Sequence, residues 1–244
     1  IGDKTTIEAG FGVTVGRSVG RHTRAGLKYS FNNEDVKYEF DTASNLIFST
    51  SAITPYINFN NTDDYNLPRN GMIAGTSLKL AGIGGDSKYI LSSTYFKYFH
   101  SLEKLINYDV IFRYKNSIKR IENNGYVPEP LTFYLGGPSS VRGYSSYAFD
   151  PDDYSNITRF GNYFTNTLEL SFPLIPSAKM RWALFYDYGM VGEDNFNDIK
   201  KSGNGALISW FSPVGPLQFI FSRAISPEEG DDTSSFEFSL GSKF

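Results

Sequence analysis

The 244-residue chain carries 23 Lys and Arg against 26 Asp and Glu, a formal charge of −3 that is too mild to point to nucleic acid. It contains no cysteine, which excludes disulfides and thiolate metal sites, and no apolar run near the roughly 18 residues that a spanning helix needs. Aromatic residues nevertheless make up 16% of it; a soluble domain hides such a load in a core, whereas a membrane β-barrel wears it on lipid-facing strands and interfacial girdles.

Period-two alternation runs through nearly the whole chain, and helical periodicity is almost absent. The chain opens at Ile1 with neither a signal segment nor an initiator Met, so it is expected to begin inside a longer precursor. Ile7, Ala9, Phe11, Val13 and Val15 alternate with Glu8, Gly10, Gly12, Thr14 and Gly16. After a polar turn at 17–21, Thr23, Ala25, Leu27, Tyr29 and Phe31 face away from Arg24, Gly26, Lys28 and Ser30. These two runs predict a hairpin with one greasy face and one face of glycine, threonine and charge. Later, Tyr108, Val110, Phe112 and Tyr114 oppose Asp109, Arg113 and Lys115, with Ile111 as the exception. The longest connection is expected at about 121–161. Beyond it, Leu168, Leu170 and Phe172 oppose Thr167, Glu169 and Ser171. Trp182, Leu184, Tyr186 and Tyr188 oppose Arg181, Ala183, Phe185 and Asp187. Leu217, Phe219 and Phe221 then oppose Gln218 and Ser222, and a last strand over 235–244 sets Phe236, Phe238, Leu240 and Phe244 against Glu237, Ser239, Gly241 and Lys243.

About eleven such segments follow one another, many near the 9–11 residues that cross a bilayer at a tilt, and their turns alternate short and long. A soluble β-sandwich also alternates. Glycine separates the two readings: Gly10, Gly12, Gly16 and Gly26 all fall on the polar face, where a solvated sheet gains nothing from them and a crowded lumen does. The expected fold class is an all-β antiparallel transmembrane barrel, with a soluble β-sandwich or barrel as the alternative.

Several segments, in order, resemble the BamA-type outer-membrane assembly factors. They are Leu67-Pro68-Arg69-Asn70-Gly71 and the run from Gly82 to Tyr89, then Gly136-Gly137-Pro138-Ser139-Ser140-Val141-Arg142-Gly143-Tyr144, similar to the family's long sixth loop. Phe185-Tyr186-Asp187-Tyr188-Gly189, the turn Ser212–Leu217 and the terminal Phe244 complete the set. The resemblance implies a sixteen-strand barrel of which this chain holds the C-terminal part, starting near the sixth strand, with the first strands and the periplasmic POTRA repeats outside it.

The resemblance also implies that the long loop folds into the lumen and that its arginine meets acidic groups on the wall. Glu169 and Asp187 sit on the inward parity of neighbouring strands and supply such groups, since a guanidinium can hold two carboxylates in planar, charge-assisted bonds. The expected lock is Arg142–Glu169–Asp187 with Phe185 beside it, flanked by Val141, Gly143 and Tyr144, while Gly136, Gly137 and Gly143 let the loop turn tightly. Without the resemblance, the residues leave open that Arg142 stands on an external loop in solvent. The terminal strand, with Phe236, Phe238, Leu240, Gly241 and Phe244, reads both as a closing strand and as an edge for strand augmentation.

No nucleophile, base, phosphate loop or zinc set is legible, so no enzyme activity, cofactor or metal is expected. Asp150, Asp152 and Asp153 lack the glycine and closing glutamate of a calcium loop. The function implied by the resemblance is folding and insertion of β-barrel proteins into the bacterial outer membrane. Its implied partners are unfolded outer-membrane proteins, membrane lipids and accessory lipoproteins docking on the periplasmic region. A TamA-like factor, a two-partner secretion transporter and a passive porin are the competing readings.

Overall fold

The computed structural model describes residues 4–38, 46–146, 148, 159–213 and 215–241. Eleven strands follow one another: β1 (Lys4–Ser18), β2 (Thr23–Tyr38), β3 (Leu46–Asn60), β4 (Gly71–Gly85), β5 (Tyr89–Ser101), β6 (Ile111–Asn123), β7 (Asn162–Ile175), β8 (Met180–Gly192), β9 (Ile199–Ser212), β10 (Gly215–Ile225) and β11 (Phe236–Leu240). One turn of helix, α1 (Glu103–Ile106), interrupts them. The sheet is antiparallel and keeps chain order from β1 to β11. Contacts divide the chain into one unit of Ile1–Phe59, Gly75–Thr94 and Arg120–Leu131, and a second of Asn60–Ala74, Tyr95–Lys119 and Thr132–Phe244.

In the first unit, β1 and β2 pair with Phe11 opposite Phe31 and Gly16 opposite Gly26. Ile7, Val13, Val15 and Leu27 stand exposed on one face. The glycines of the other face have a more local reason than a crowded lumen. Gly26 lies opposite Tyr56 of β3, and a Cβ at Gly16 or Gly26 would meet the Tyr56 hydroxyl at 2.6 or 2.5 Å. The ring covers both glycines, so the missing side chains are replaced by a neighbour's. At Gly10 a Cβ would strike the Phe31 carbonyl and the Asn32 side chain, which in turn bonds Glu8 at 2.6 Å.

The second unit shows the alternation most cleanly. Along β7 and β8, Leu168, Leu170, Leu184 and Tyr186 are exposed, whereas Thr167, Glu169, Ser171, Ala183, Phe185 and Asp187 are buried. On β10 and β11 Phe221, Phe236, Phe238 and Leu240 are exposed, and Ile220, Ser222 and Ser239 are buried. A continuous outer band of this kind would aggregate in water and is the natural lining against acyl chains. Flat stacking of Phe172 on Trp182, with centroids 4.4 Å apart, belongs to the same face. The inner face carries two apolar clusters, one of Ala183, Phe185, Leu207 and Ile220, the other built around Leu135, Val141, Tyr144, Val191 and Ile199.

Two boundaries differ from the sequence reading. The long connection spans 124–161, because β6 pairs through Asn123 and β7 begins only at Asn162. The last strand stops at Leu240 instead of running through residue 244. Leu240 pairs with Leu217, so Gly241 falls opposite Pro216; its N–H reaches the Pro216 carbonyl at 2.8 Å, but proline has no N–H to return. Gly241 turns away at φ +80°. Phe244 lies outside the described residues, as do Asp150, Asp152 and Asp153.

Candidate functional site

The site forms where residues 135–145 of the connection lie along the inner face of β7–β10. Strand parity alone turns Glu169 and Asp187 inward, since each is flanked by outward leucine, tyrosine or aromatic neighbours. Asp187 is 0% exposed and Glu169 3%. Two bare carboxylates in such a place would be costly, and arginines meet them.

Arg142 holds Asp187 with three bonds. Nε donates to Oδ2 at 2.7 Å, Nη2 to Oδ1 at 2.9 Å, and the Arg142 backbone N–H to Oδ2 at 3.1 Å. The fork-on-carboxylate geometry fixes the guanidinium plane, and the main-chain bond fixes the loop itself. Nη1 also lies 3.6 Å from Glu169 Oε2, an ionic contact longer than a hydrogen bond. The guanidinium carbon sits 3.5 Å from the centroid of the Phe185 ring, so one face is covered by an aromatic cloud. Against the desolvation of burial, which lowers it, the Asp187 charge lifts the Arg142 pKa above its ordinary value. Arg142 is thus a permanent cation.

Glu169 has a second cation that sequence reasoning did not assign. Arg113 of β6 donates from Nη1 to Glu169 Oε1 at 2.7 Å, and both side chains are almost fully buried. The group is therefore a quartet of two guanidiniums and two carboxylates with no net charge. The signal for Arg113 was present in the alternation of 108–115, where it takes inward parity, but its partner depends on strand pairing. Lys115, on the same face, donates to the Ser139 carbonyl at 3.3 Å and touches the loop one turn earlier.

The loop backbone approaches the wall at glycines. Gly136, Gly137 and Gly143 adopt φ of +114°, +76° and +103°, a region closed to most side chains. A Cβ on Gly203 of β9 would run into the Arg142 carbonyl, and one on Gly189 of β8 would meet Leu135 and Val141 at 2.7 Å each. Gly189 and Gly203 are therefore wall glycines that lie under the loop. Val141 and Tyr144 are fully buried in a cluster with Leu135 and Val191. Tyr144 does not touch the carboxylates; its hydroxyl donates to the Ile225 carbonyl at 3.3 Å. Phe236, Phe238 and Leu240 stay on the outer face, away from the quartet.

A second charged group lies at the short-turn end of the same unit. Arg69 pairs with Glu103 at 2.7 Å and Asp109 at 2.9 Å, and Arg181 with Asp109 at 2.9 Å. Asp63 accepts the backbone N–H groups of Arg69 and Asn70 at 2.8 and 3.1 Å. Against desolvation, which raises them, these N–H bonds hold the Asp63 carboxyl below the usual carboxylate range, and Arg181 with Arg69 does the same for Asp109.

Residues 3–244 match the Omp85 superfamily domain. The chain is 28% identical over 245 residues to the outer membrane protein assembly factor BamA of Nitratidesulfovibrio vulgaris, covering 93% of this chain and 30% of that protein. It is likewise 28% identical over 227 residues to BamA of Neisseria meningitidis serogroup B, covering 76% and 28%. The chain thus spans less than a third of the length of these curated relatives. Among solved structures it superposes on BamA from Haemophilus ducreyi lacking POTRA domains 1–3 with TM-score 0.81 and 19% identity, over 96% of this chain and 53% of that one. CdiB from Acinetobacter baumannii gives TM-score 0.66 at 14% identity, over 97% and 42%. With an alternating sheet greasy on its outer face and a domain match along almost its whole length, the chain belongs to the Omp85 superfamily and is an integral outer-membrane β-barrel protein.

Proposed function

We propose that this chain is the C-terminal barrel portion of an assembly factor that folds and inserts β-barrel proteins into the outer membrane. The observation that carries the reading is the likeness to curated BamA proteins at 28% identity across 93% of the chain. The loop held against β7–β10 supports it further, because a passive porin needs that space open.

The mechanism is barrier lowering rather than covalent chemistry. A weakly paired strand edge at a lateral seam offers backbone N–H and C=O groups to an incoming strand, which can pair before it must enter lipid unsatisfied. In this reading the loop is lumen-directed and Arg142, Asp187, Glu169 and Phe185 form its lock. It keeps the wall rigid while the seam works. Unfolded outer-membrane proteins and the lipids around the seam are the partners, and accessory lipoproteins dock on the periplasmic region. No nucleotide or cofactor takes part.

The test uses the full gene product in liposomes with a denatured outer-membrane protein added. The rate at which that substrate becomes heat-modifiable and protease-resistant is compared with empty liposomes and with Arg142→Ala. Faster folding that is lost in the variant supports the assembly reading and the lock together. Acceleration that survives Arg142→Ala keeps the function and removes the lock. Ion conductance without acceleration transfers the protein to the transporter or porin class.

A further inference from the structure

The connection between β10 and β11 is built around a buried lysine. Lys201 of β9 donates from Nζ to Glu228 Oε2 and to Asp231 Oδ1, each at 2.7 Å. The Lys201 and Asp231 side chains are 1% and 3% exposed, whereas Glu228 is 69% exposed, so Asp231 is the partner that burial makes expensive to lose. Asp231 also accepts the Glu228 N–H at 2.7 Å, closing the turn on itself.

The next residues of this connection run antiparallel to the loop immediately after Arg142. Ser145 N–H donates to the Asp232 carbonyl at 3.0 Å, and Ser234 N–H to the Gly143 carbonyl at 3.0 Å, with Tyr144 facing Thr233 between them. The Ser145 hydroxyl adds a bond to the Asp232 carboxylate at 2.5 Å. The Tyr144 ring lies 6.0 Å from Lys201 Nζ, so it joins the two halves of the arrangement. One residue further on, Ser222 of β10 bonds the Ser235 carbonyl at 3.0 Å, and β11 begins at Phe236.

A three-residue stretch therefore connects the quartet to the start of the last strand. On one side it is Arg142, bonded to Asp187 by both backbone and side chain; on the other it is the segment that leads into β11. β11 has only five residues and stands at the end of the sheet order. So short a strand has little pairing with β10 to keep it in place.

We propose that Tyr144, Ser145 and Lys201 form a clasp that positions the start of the terminal strand, so that the long loop and β11 are held or released together. While Arg142 stays on Asp187 and Lys201 holds Asp231, β11 remains in register on β10. Withdrawal of the loop strips residues 232–234 of their partners and frees β11 from its upstream end. Lys201 is a positioning residue here, acting through the connection rather than on any substrate. The use of this motion in substrate insertion rests on the assembly reading; the clasp itself does not.

The experiment is amide exchange, read by peptide, on the full gene product in lipid bilayers. Lys201→Met raises exchange at 236–240 about tenfold or more while the amides around Asp187 on β8 stay protected. Ser145→Cys with Asp232→Cys, the only cysteines within these 244 residues, crosslinks the clasp, with any cysteine elsewhere in the gene product replaced by serine. Oxidised, this pair lowers exchange at 236–240 in the otherwise unaltered protein and restores protection in Lys201→Met; reductant reverses both effects. Unchanged exchange at 236–240, a rise spread equally over β7–β10, or indifference to the disulfide each overturns the proposal. Substrate folding is then timed with the pair oxidised and reduced. A reductant-dependent rate places the clasp in assembly. Equal rates, with the exchange pattern intact, leave the clasp standing and refute its use in assembly.

Discussion

Arg142 faces two carboxylates at 2.7 and 3.6 Å and Arg69 faces two at 2.7 and 2.9 Å, yet their surroundings make them different objects. Arg142, Asp187, Glu169 and Arg113 have side-chain exposures between 0% and 6%, with the Phe185 ring against the Arg142 guanidinium. Arg69, Glu103 and Asp109 sit at 33%, 58% and 30%. In water a broken pair is rehydrated, and the loss is small. In the dry interior the surviving partner has nowhere to go, so the cost of breaking the pair far exceeds what forming it contributed. Breaking a pair in the buried quartet is for this reason costly, while breaking an Arg69 pair at the turn end is not.

The sharpest way to break the comparison is to remove one member of each group. Asp187→Ala leaves Arg142 buried without its main partner and should lower barrel stability by about 3–5 kcal/mol, measured by urea unfolding in vesicles. Asp187→Asn should cost less, because the amide oxygen still accepts one of the arginine bonds. A loss below about 1 kcal/mol for Asp187→Ala would place the quartet in the same class as a surface pair.

Next in size is the wall beneath the loop. Gly203→Ala puts a methyl into the Arg142 carbonyl, so the loop must lift or the strand must bend, at an expected cost of about 1–3 kcal/mol. Faster protease cleavage within 124–161, with β7 and β8 unaffected, is the readout.

Arg69→Ala is expected to cost only about 0–1 kcal/mol, and the difference from the parent should vanish by about 1 M salt. The quartet's contribution should hardly respond to the same salt. A strong salt dependence of the Asp187→Ala effect would mean that water reaches the quartet.

The smallest expected effect is on acidification. Asp63 and Asp109 have folded values below the unfolded aspartate value of about 3.9, so their contribution is fully present above that pH and is lost as pH falls through the folded values. Amide exchange at 63–70, corrected for intrinsic rate, should stay constant from neutral pH down to about 4 and rise only below it. Loosening that begins near neutral pH would contradict the assigned bonds.

Much of the fold was legible because a strand's side chains alternate whatever surrounds them. The outward Leu168, Leu170, Leu184 and Tyr186, and the inward Glu169, Phe185 and Asp187, follow from parity alone. Parity also put Arg113 on the inner face, but its bond to Glu169 spans 56 positions of sequence and exists only once β6 and β7 are neighbours. The glycines divide in the same manner. Gly16 and Gly26 owe their place to Tyr56, thirty residues from Gly26 in sequence, and Gly203 to the Arg142 carbonyl.

What the sequence by itself determined, then, was a chain of amphipathic strands with a greasy side for lipid, a set of inward charges and a glycine-rich loop able to turn among them. Those are local properties, set by the two-residue period of an extended backbone and the freedom of glycine at positive φ. Tertiary structure decided which charges meet, how far the loop reaches along β7–β10, and that the last strand ends at Leu240 opposite Leu217, where Pro216 has no donor to extend the ladder. Each of those depends on register between distant segments. Register is chosen by the whole set of pairings at once, because a single-residue slip would turn every buried charge outward into lipid.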